Sequence, residues 1–241
     1  MILWEDEALV LSTLNYSETS IILKIFTKNN GLRKGLVKGA KSKNKNFIFQ
    51  SGNLVNVSYK SRTEDMLGMF TVDLISSCSA IYLSDTQKFS GIVSILNLIE
   101  FSLLENEVEK ELYDHSKALI NKIITSEKNW IVDYIKWEIF LLKKIGFGLE
   151  LSKCVLTNKK SNLKYLSPKS GCAVNEKAAE KWKHKLYIIP NFFLNDKKAN
   201  KEDLINGFNI TSNFLKKFAK SINKTLPFTR SNFIDIILTK Q

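Results

Sequence analysis

At Ser84 the apolar pattern of the chain changes period. Before that point, branched and aromatic residues come in short runs between turn signals; after it, apolar residues recur at helical spacing. A chain divided in this way predicts an α+β protein, with a β-domain over residues 1–80 and an α-helical domain over 81–241. The strand runs cover 8–12, 20–27, 32–38, 54–60 and 69–75. The Asn30-Gly31 step between the second and third is a strong hairpin signal. Five short strands in so few residues predict a small closed barrel. The OB-fold is the commonest five-stranded kind, and an SH3-like barrel reads the same way at this level.

The helical half opens on Ser84-Asp85-Thr86-Gln87, which has the spacing of a capping box. Phe89, Ile92, Val93, Leu96, Ile99 and Leu103 then fall on one face. Further helices are predicted over 107–125 and 130–145, the latter stopped by Lys143, Lys144 and Gly146. Residues 147–168 read as irregular, with turn signals at Asn158 and at Ser161-Asn162. Shorter helices are predicted over 176–185, 210–223 and 230–238. The apolar stripes are read as core.

Charge is distributed unevenly. Between Thr19 and Thr63 the chain carries ten basic residues and no Asp or Glu, although it has 24 acids elsewhere. The whole chain is also basic, with a net charge of +12. Positive potential concentrated in this way suits a polyanion, nucleic acid first. The phosphate-binding candidates are Arg33, Lys34, Lys38, Lys41, Lys43 and Lys45, which flank a glycine-rich turn and strand. Lys60 and Arg62, at the end of the fourth run, come second. Bases bound by a barrel stack on aromatic rings. Tyr59 is the stacking candidate, because Phe47 and Phe49 suit barrel core at least as well.

Other classes are disfavoured by the same residues. No apolar run approaches the ~20 residues of a membrane span, and the opening Met1 to Glu7 lacks the layout of a signal peptide. A cytoplasmic location, in association with the nucleoid, is therefore expected, with no membrane partner. Three cysteines, Cys78, Cys154 and Cys172, fit a reducing compartment. Catalysis is not expected: His115 and His184 stand far apart, no phosphate-binding Gly-Lys-Ser/Thr loop occurs, and Cys78 at the end of an apolar strand reads as core.

Several segments together resemble one family. They are Glu7 to Leu11, Ser17 to Ser20, Phe26-Thr27 with Gly31, Gly35 to Ala40, Gly52 to Val55, Ile145 to Cys154, and Tyr165 to Gly171. In this order they are similar to the bacterial RecO recombination mediators, over most of the chain. The resemblance implies an N-terminal OB-fold that binds DNA, an α-helical C-terminal domain, and no catalytic centre. It further implies binding of single- and double-stranded DNA, annealing of complementary strands, and association with RecR and with the C-terminal tail of the single-stranded DNA-binding protein. Together these load recombinase onto DNA during repair.

One departure from the family is chemical. Many relatives carry a four-cysteine zinc site in the loop that corresponds to 151–175. Here Thr157 stands where the second ligand would be, Cys172 lies beside Gly171, and Asn175 and Ala178 occupy the later positions. Even with His184 a tetrahedral set is one ligand short. The loop is therefore expected to be a degenerate zinc loop, without metal or any other cofactor. Two alternatives stay open: an OB-type protein that binds RNA, and an enzyme that modifies nucleic acid from a site assembled at long range.

Overall fold

Strand β1 (Ile2–Asn15) is long enough to serve two neighbours, and this closes the barrel. Its first half, Ile2 to Leu9, pairs antiparallel with β4 (Leu54–Ser61), and its second half, Ala8 to Asn15, with β2 (Ile21–Thr27). A bulge between Val10 and Ser12 turns the strand from one partner to the other. With β3 (Gly31–Val37) and β5 (Met69–Ser76) the strands form a closed barrel in the order β1-β2-β3-β5-β4, the five-stranded arrangement of an OB-fold. The computed structural model describes residues 1–42, 45–63, 66–125, 130–194 and 199–239, the side chains of Tyr82 and Leu83 excepted.

Alternation decides which side chains fill the barrel. Val55, Val57 and Tyr59 of β4 point inward with Leu23, Ile25 and Phe70. Closure between β3 and β5 is tight, with a parallel pairing of Leu36 and Met69. It depends on Gly35, where a Cβ would stand 2.7 Å from the Phe70 ring. The Asn29-Asn30-Gly31 turn is the predicted hairpin, with Gly31 at a φ of 73°.

The contacts divide the chain into two units, Met1–Thr125 with Pro227–Phe233, and Ser126–Leu226 with Ile234–Gln241. In the first, the barrel is followed by α1 (Ser79–Ser84), α2 (Thr86–Ser102) and α3 (Lys110–Thr125). The N-cap of α2 is Asp85, which accepts the N–H groups of Gln87 and Lys88. Ser84 is not the cap: it ends α1, with its hydroxyl bonded to the Ala80 carbonyl.

The second unit contains α4 (Trp130–Lys144), strands β6 (Leu163–Leu166), β7 (Ala173–Asn175) and β8 (Tyr187–Ile188), α5 (Asn191–Leu194), α6 (Lys201–Ser221) and the end of α7 (Phe228–Thr239). The three strands form a small sheet in the order β7-β6-β8; β6 lies in the 147–168 stretch expected to be irregular, β7 near the end of the 151–175 loop, and β8 beyond both. The helix predicted over 176–185 is a 3-10 turn at Glu180–Lys185. Helix α6 begins nine residues before the predicted start at Ile210, at an Asn200–Asp203 capping box. Gly207 lets it approach α4, with the Ile135 side chain 3.1 Å from where a Cβ would be.

Candidate nucleic-acid interface

The acid-free stretch folds against acids supplied from later in the chain. Glu100 of α2 pairs with Lys24, Asp114 of α3 with Lys28 at 3.0 Å, and Glu105 with Lys34 at 2.9 Å. Asp114 holds the Lys28 ammonium above its ordinary pKa by hydrogen bonding and charge. Backbone pairing of Leu32 with Glu105 brings the 103–109 segment alongside β3. Part of the positive run is therefore matched within its own unit.

Two other predicted residues are engaged by the barrel. Arg33 is half-buried, its Nε donating to the Asn30 carbonyl at 2.9 Å and its guanidinium lying 5.9 Å from the Trp4 ring centroid. Tyr59 is only 7% exposed. Its ring stacks on Trp4 at 4.8 Å and packs against Phe70 at 5.3 Å. A ring so covered offers no open face to a nucleobase. Phe49 is buried as well, while Phe47 is 46% exposed.

Lys38, Lys41 and Lys45 remain, and they gather at one end of the barrel. Lys38 follows β3 and is exposed. Lys41 ties its loop to the β1–β2 turn, its N–H donating to the Thr19 carbonyl at 3.3 Å and its Nζ to the Ser17 carbonyl at 2.7 Å. An ammonium has three donors, so Lys41 keeps capacity for a phosphate. Lys45 leads into the 3-10 turn Asn46–Phe49. Lys38 and Lys45 line a cleft of about 340 Å³ together with Val37, Ile48, Phe49, Phe70 and Asp73. Lys60 faces outward from β4 in register with Leu3 and Met69, and Arg62 is exposed just beyond. Among the described residues no carboxylate pairs with Lys38, Lys41, Lys45, Lys60 or Arg62. Lys43 lies outside the described residues.

A second cleft, of about 640 Å³, has the opposite character. Glu5, Glu7 and Asp73 line it on β1 and β5, with Lys28 and Lys117 at its edge. Lys117 donates to both Glu7 oxygens at 2.7 Å, and the Tyr113 hydroxyl to one of them at 3.0 Å. Burial and the charge of Glu7 push the Tyr113 pKa far up, so this hydroxyl stays a donor. The acids of this cleft give that face a potential less favourable to phosphates than the face that carries Lys38 and Lys45.

Among the described residues no three His, Cys, Asp or Glu side chains converge as metal ligands. Cys78 is buried, its thiol donating to the Gly52 carbonyl at 3.0 Å, and burial pushes its pKa up to about 11. In the 151–175 loop the Cys154 sulfur is fully buried and accepts the Asn175 N–H at 3.2 Å. Asn175 in turn donates to the Ser161 carbonyl at 2.7 Å. The loop is thus laced by hydrogen bonds where a zinc ion would need further thiolates or imidazoles, and its residues do not fit that ion. No helix among the described residues is long and apolar enough to cross a membrane.

Comparison with known proteins agrees with this architecture. Residues 1–78 match the family model described as Recombination protein O N terminal, and residues 83–220 match Recombination protein O C terminal. The chain belongs to the RecO family. Its relatives include the DNA repair protein RecO of Dinoroseobacter shibae, 34% identical over 98% of both chains. That of Bartonella tribocorum is 35% identical over 97% of this chain and 94% of the relative. That of a Wolbachia of Drosophila simulans is 34% identical over 89% and 91%. RecO membership assigns the chain to DNA repair and recombination.

Proposed function

We propose that the chain is a non-catalytic recombination mediator that binds single- and double-stranded DNA and anneals complementary strands. With RecR it helps load recombinase onto single-stranded DNA coated by the single-stranded DNA-binding protein. The observation that carries this reading is the gathering of Lys38, Lys41 and Lys45, with no described carboxylate paired to them, at one end of the barrel of a RecO-family chain. Annealing needs a surface that brings two polyanions together without reading their bases, and ammonium groups facing phosphates do this. Lys60 and Arg62 extend the charge, whereas Arg33 and Lys34 contribute through the positions they hold. In this division of labour residues 1–80 engage the nucleic acid. The helical residues 81–241 take the acidic tail of the single-stranded DNA-binding protein, a role supported by the family resemblance.

The test is annealing of complementary fluorescent strands by the full chain and by a variant with Lys38, Lys41 and Lys45 changed to Ala. Acceleration by the wild type that is lost in the folded variant is the expected result. No acceleration by the wild type overturns the mediator reading, and tighter binding of RNA than of DNA of equal sequence replaces it with an RNA-binding one. Equal annealing by the variant moves the DNA site away from Lys38, Lys41 and Lys45.

A further inference from the structure

The barrel residues contain seven aromatic side chains, and the structure sorts them sharply. Phe26, Phe49, Tyr59 and Phe70 are between 0% and 7% exposed, and Trp4 is half-buried, stacked on Tyr59. Two remain outside, Tyr16 at 61% and Phe47 at 46% exposed. A lone exposed aromatic is ordinary on a protein surface. These two, however, sit on the two loops that Lys41 joins.

Tyr16 opens the β1–β2 turn, where its N–H donates to the Ser20 carbonyl at 3.2 Å. Lys41 grips that same turn at Ser17 and Thr19. Phe47 lies in the 3-10 turn that Lys45 leads into. Its backbone is fixed from beneath by the fully buried Asn53, whose side-chain amide donates to the Phe47 and Ile48 carbonyls at 2.8 and 3.0 Å. The Asn53 Oδ1 accepts the Cys78 N–H at 2.9 Å, so the buried amide is satisfied on both sides. The backbone under the Phe47 ring is therefore held while the ring itself stands in solvent, an arrangement that leaves little ordering to be done when a flat partner arrives.

We propose that Phe47 and Tyr16 are the base-stacking platforms of the barrel, taking nucleobases of a single strand whose phosphates lie on Lys41 and Lys45. This rests on the DNA-binding reading above and adds a contact of different chemistry to it. Stacking accepts any base, because every base has a π-face, and so keeps the sequence tolerance that annealing requires. It also gives single strands an advantage over duplex, whose bases are already stacked.

The experiment is fluorescence anisotropy over a range of salt, with oligothymidylate and with an abasic strand of the same length, using wild type, Phe47→Ala, Tyr16→Ala and the double variant. Each substitution is expected to weaken oligothymidylate binding about tenfold. The log–log salt slope should stay the same, and abasic binding should be unaltered. Phe47→Trp should bind as the wild type does, with its added indole emission quenched by oligothymidylate. Wild-type affinity in both Ala variants overturns the proposal while leaving lysine-mediated binding intact, and so does an equal loss on the abasic strand. If the wild type binds neither strand, the DNA-binding reading falls and this one with it.

Discussion

The Asp6 carboxylate accepts the backbone N–H of Asn29 at 2.7 Å, in the turn that follows the neighbouring strand β2. It also accepts the Asn29 side-chain amide at 2.9 Å, and the N–H and amide of Asn30 at 3.1 and 2.8 Å. One acid, 8% exposed, thereby shapes the turn from which Arg33 takes its carbonyl partner. Asp6→Ala should lower barrel stability by about 1–3 kcal/mol, because charge-assisted bonds to the part-buried Asn29 and Asn30 donors are lost and only partly replaced by water. Urea unfolding followed by intrinsic fluorescence measures this, and a midpoint equal to wild type would show that the turn holds itself.

The lysines should separate by salt dependence. At ~0.7 per contact on single strands, changing Lys38, Lys41 and Lys45 together to Ala should reduce the slope by about 2. Lys34→Ala should leave the slope close to wild type and cost less than ~1 kcal/mol of stability, since its pair with Glu105 is half-exposed. A larger effect of Lys34 than of the other three would reverse the assignment.

Cys154 gives the second unit a pH dependence. Burial raises the thiol pKa, but hydrogen bonds from the Thr157 hydroxyl and the N–H groups of Asn175, Leu156 and Thr157 outweigh it and bring the value to about 7, against 9.0 for an ordinary thiol. Between those values the folded chain holds a thiolate where the unfolded chain holds a thiol. Unfolding then takes up a proton, so stability rises with pH across this window and the contribution is lost as pH falls through about 7. Denaturation midpoints on either side of the window should differ for the wild type more than for Cys154→Ser. Identical pH profiles would remove the thiolate from the account.

The same loop should hold its shape without metal. Extensive dialysis against a chelator is expected to leave the melting temperature unchanged, with well under one zinc per chain by elemental analysis beforehand. One tightly held equivalent, or a melting temperature that drops with chelator, would mean that ligands other than those seen around Cys154 are recruited.

Much of this was legible in the residues, and the failures have physical causes. Alternation in β4 was informative enough to place Tyr59 beside Val55 and Val57 on the inner face, a signal stronger than its proximity to charge. The first half of β1 was hidden because Glu5 and Glu7 point outward and Asp6 serves the turn, so the run does not look apolar. In α6, the first nine residues were missed although the helix runs through Gly207, which permits close packing against Ile135. Strands β6 to β8 are too short to announce themselves and exist through pairing with one another. The positive run was plain, but its partial neutralisation was not, since Glu100, Glu105 and Asp114 lie far along the chain and only tertiary packing brings them back.

The shared strand β1 also governs how the barrel comes into being. Ile2 pairs with Ser61 and Leu9 with Leu54, whereas Asn15 pairs with the nearby Ile21. During synthesis the β1–β2–β3 meander can assemble as soon as those residues leave the ribosome, but the front half of β1 must wait with an unpaired edge until β4 has emerged. Closure of such a distant pair has a high contact order and is slow. The front half of β1 is thus an open strand edge until β4 joins it, and Glu5 and Glu7 give that half the kind of charge that discourages pairing with another chain.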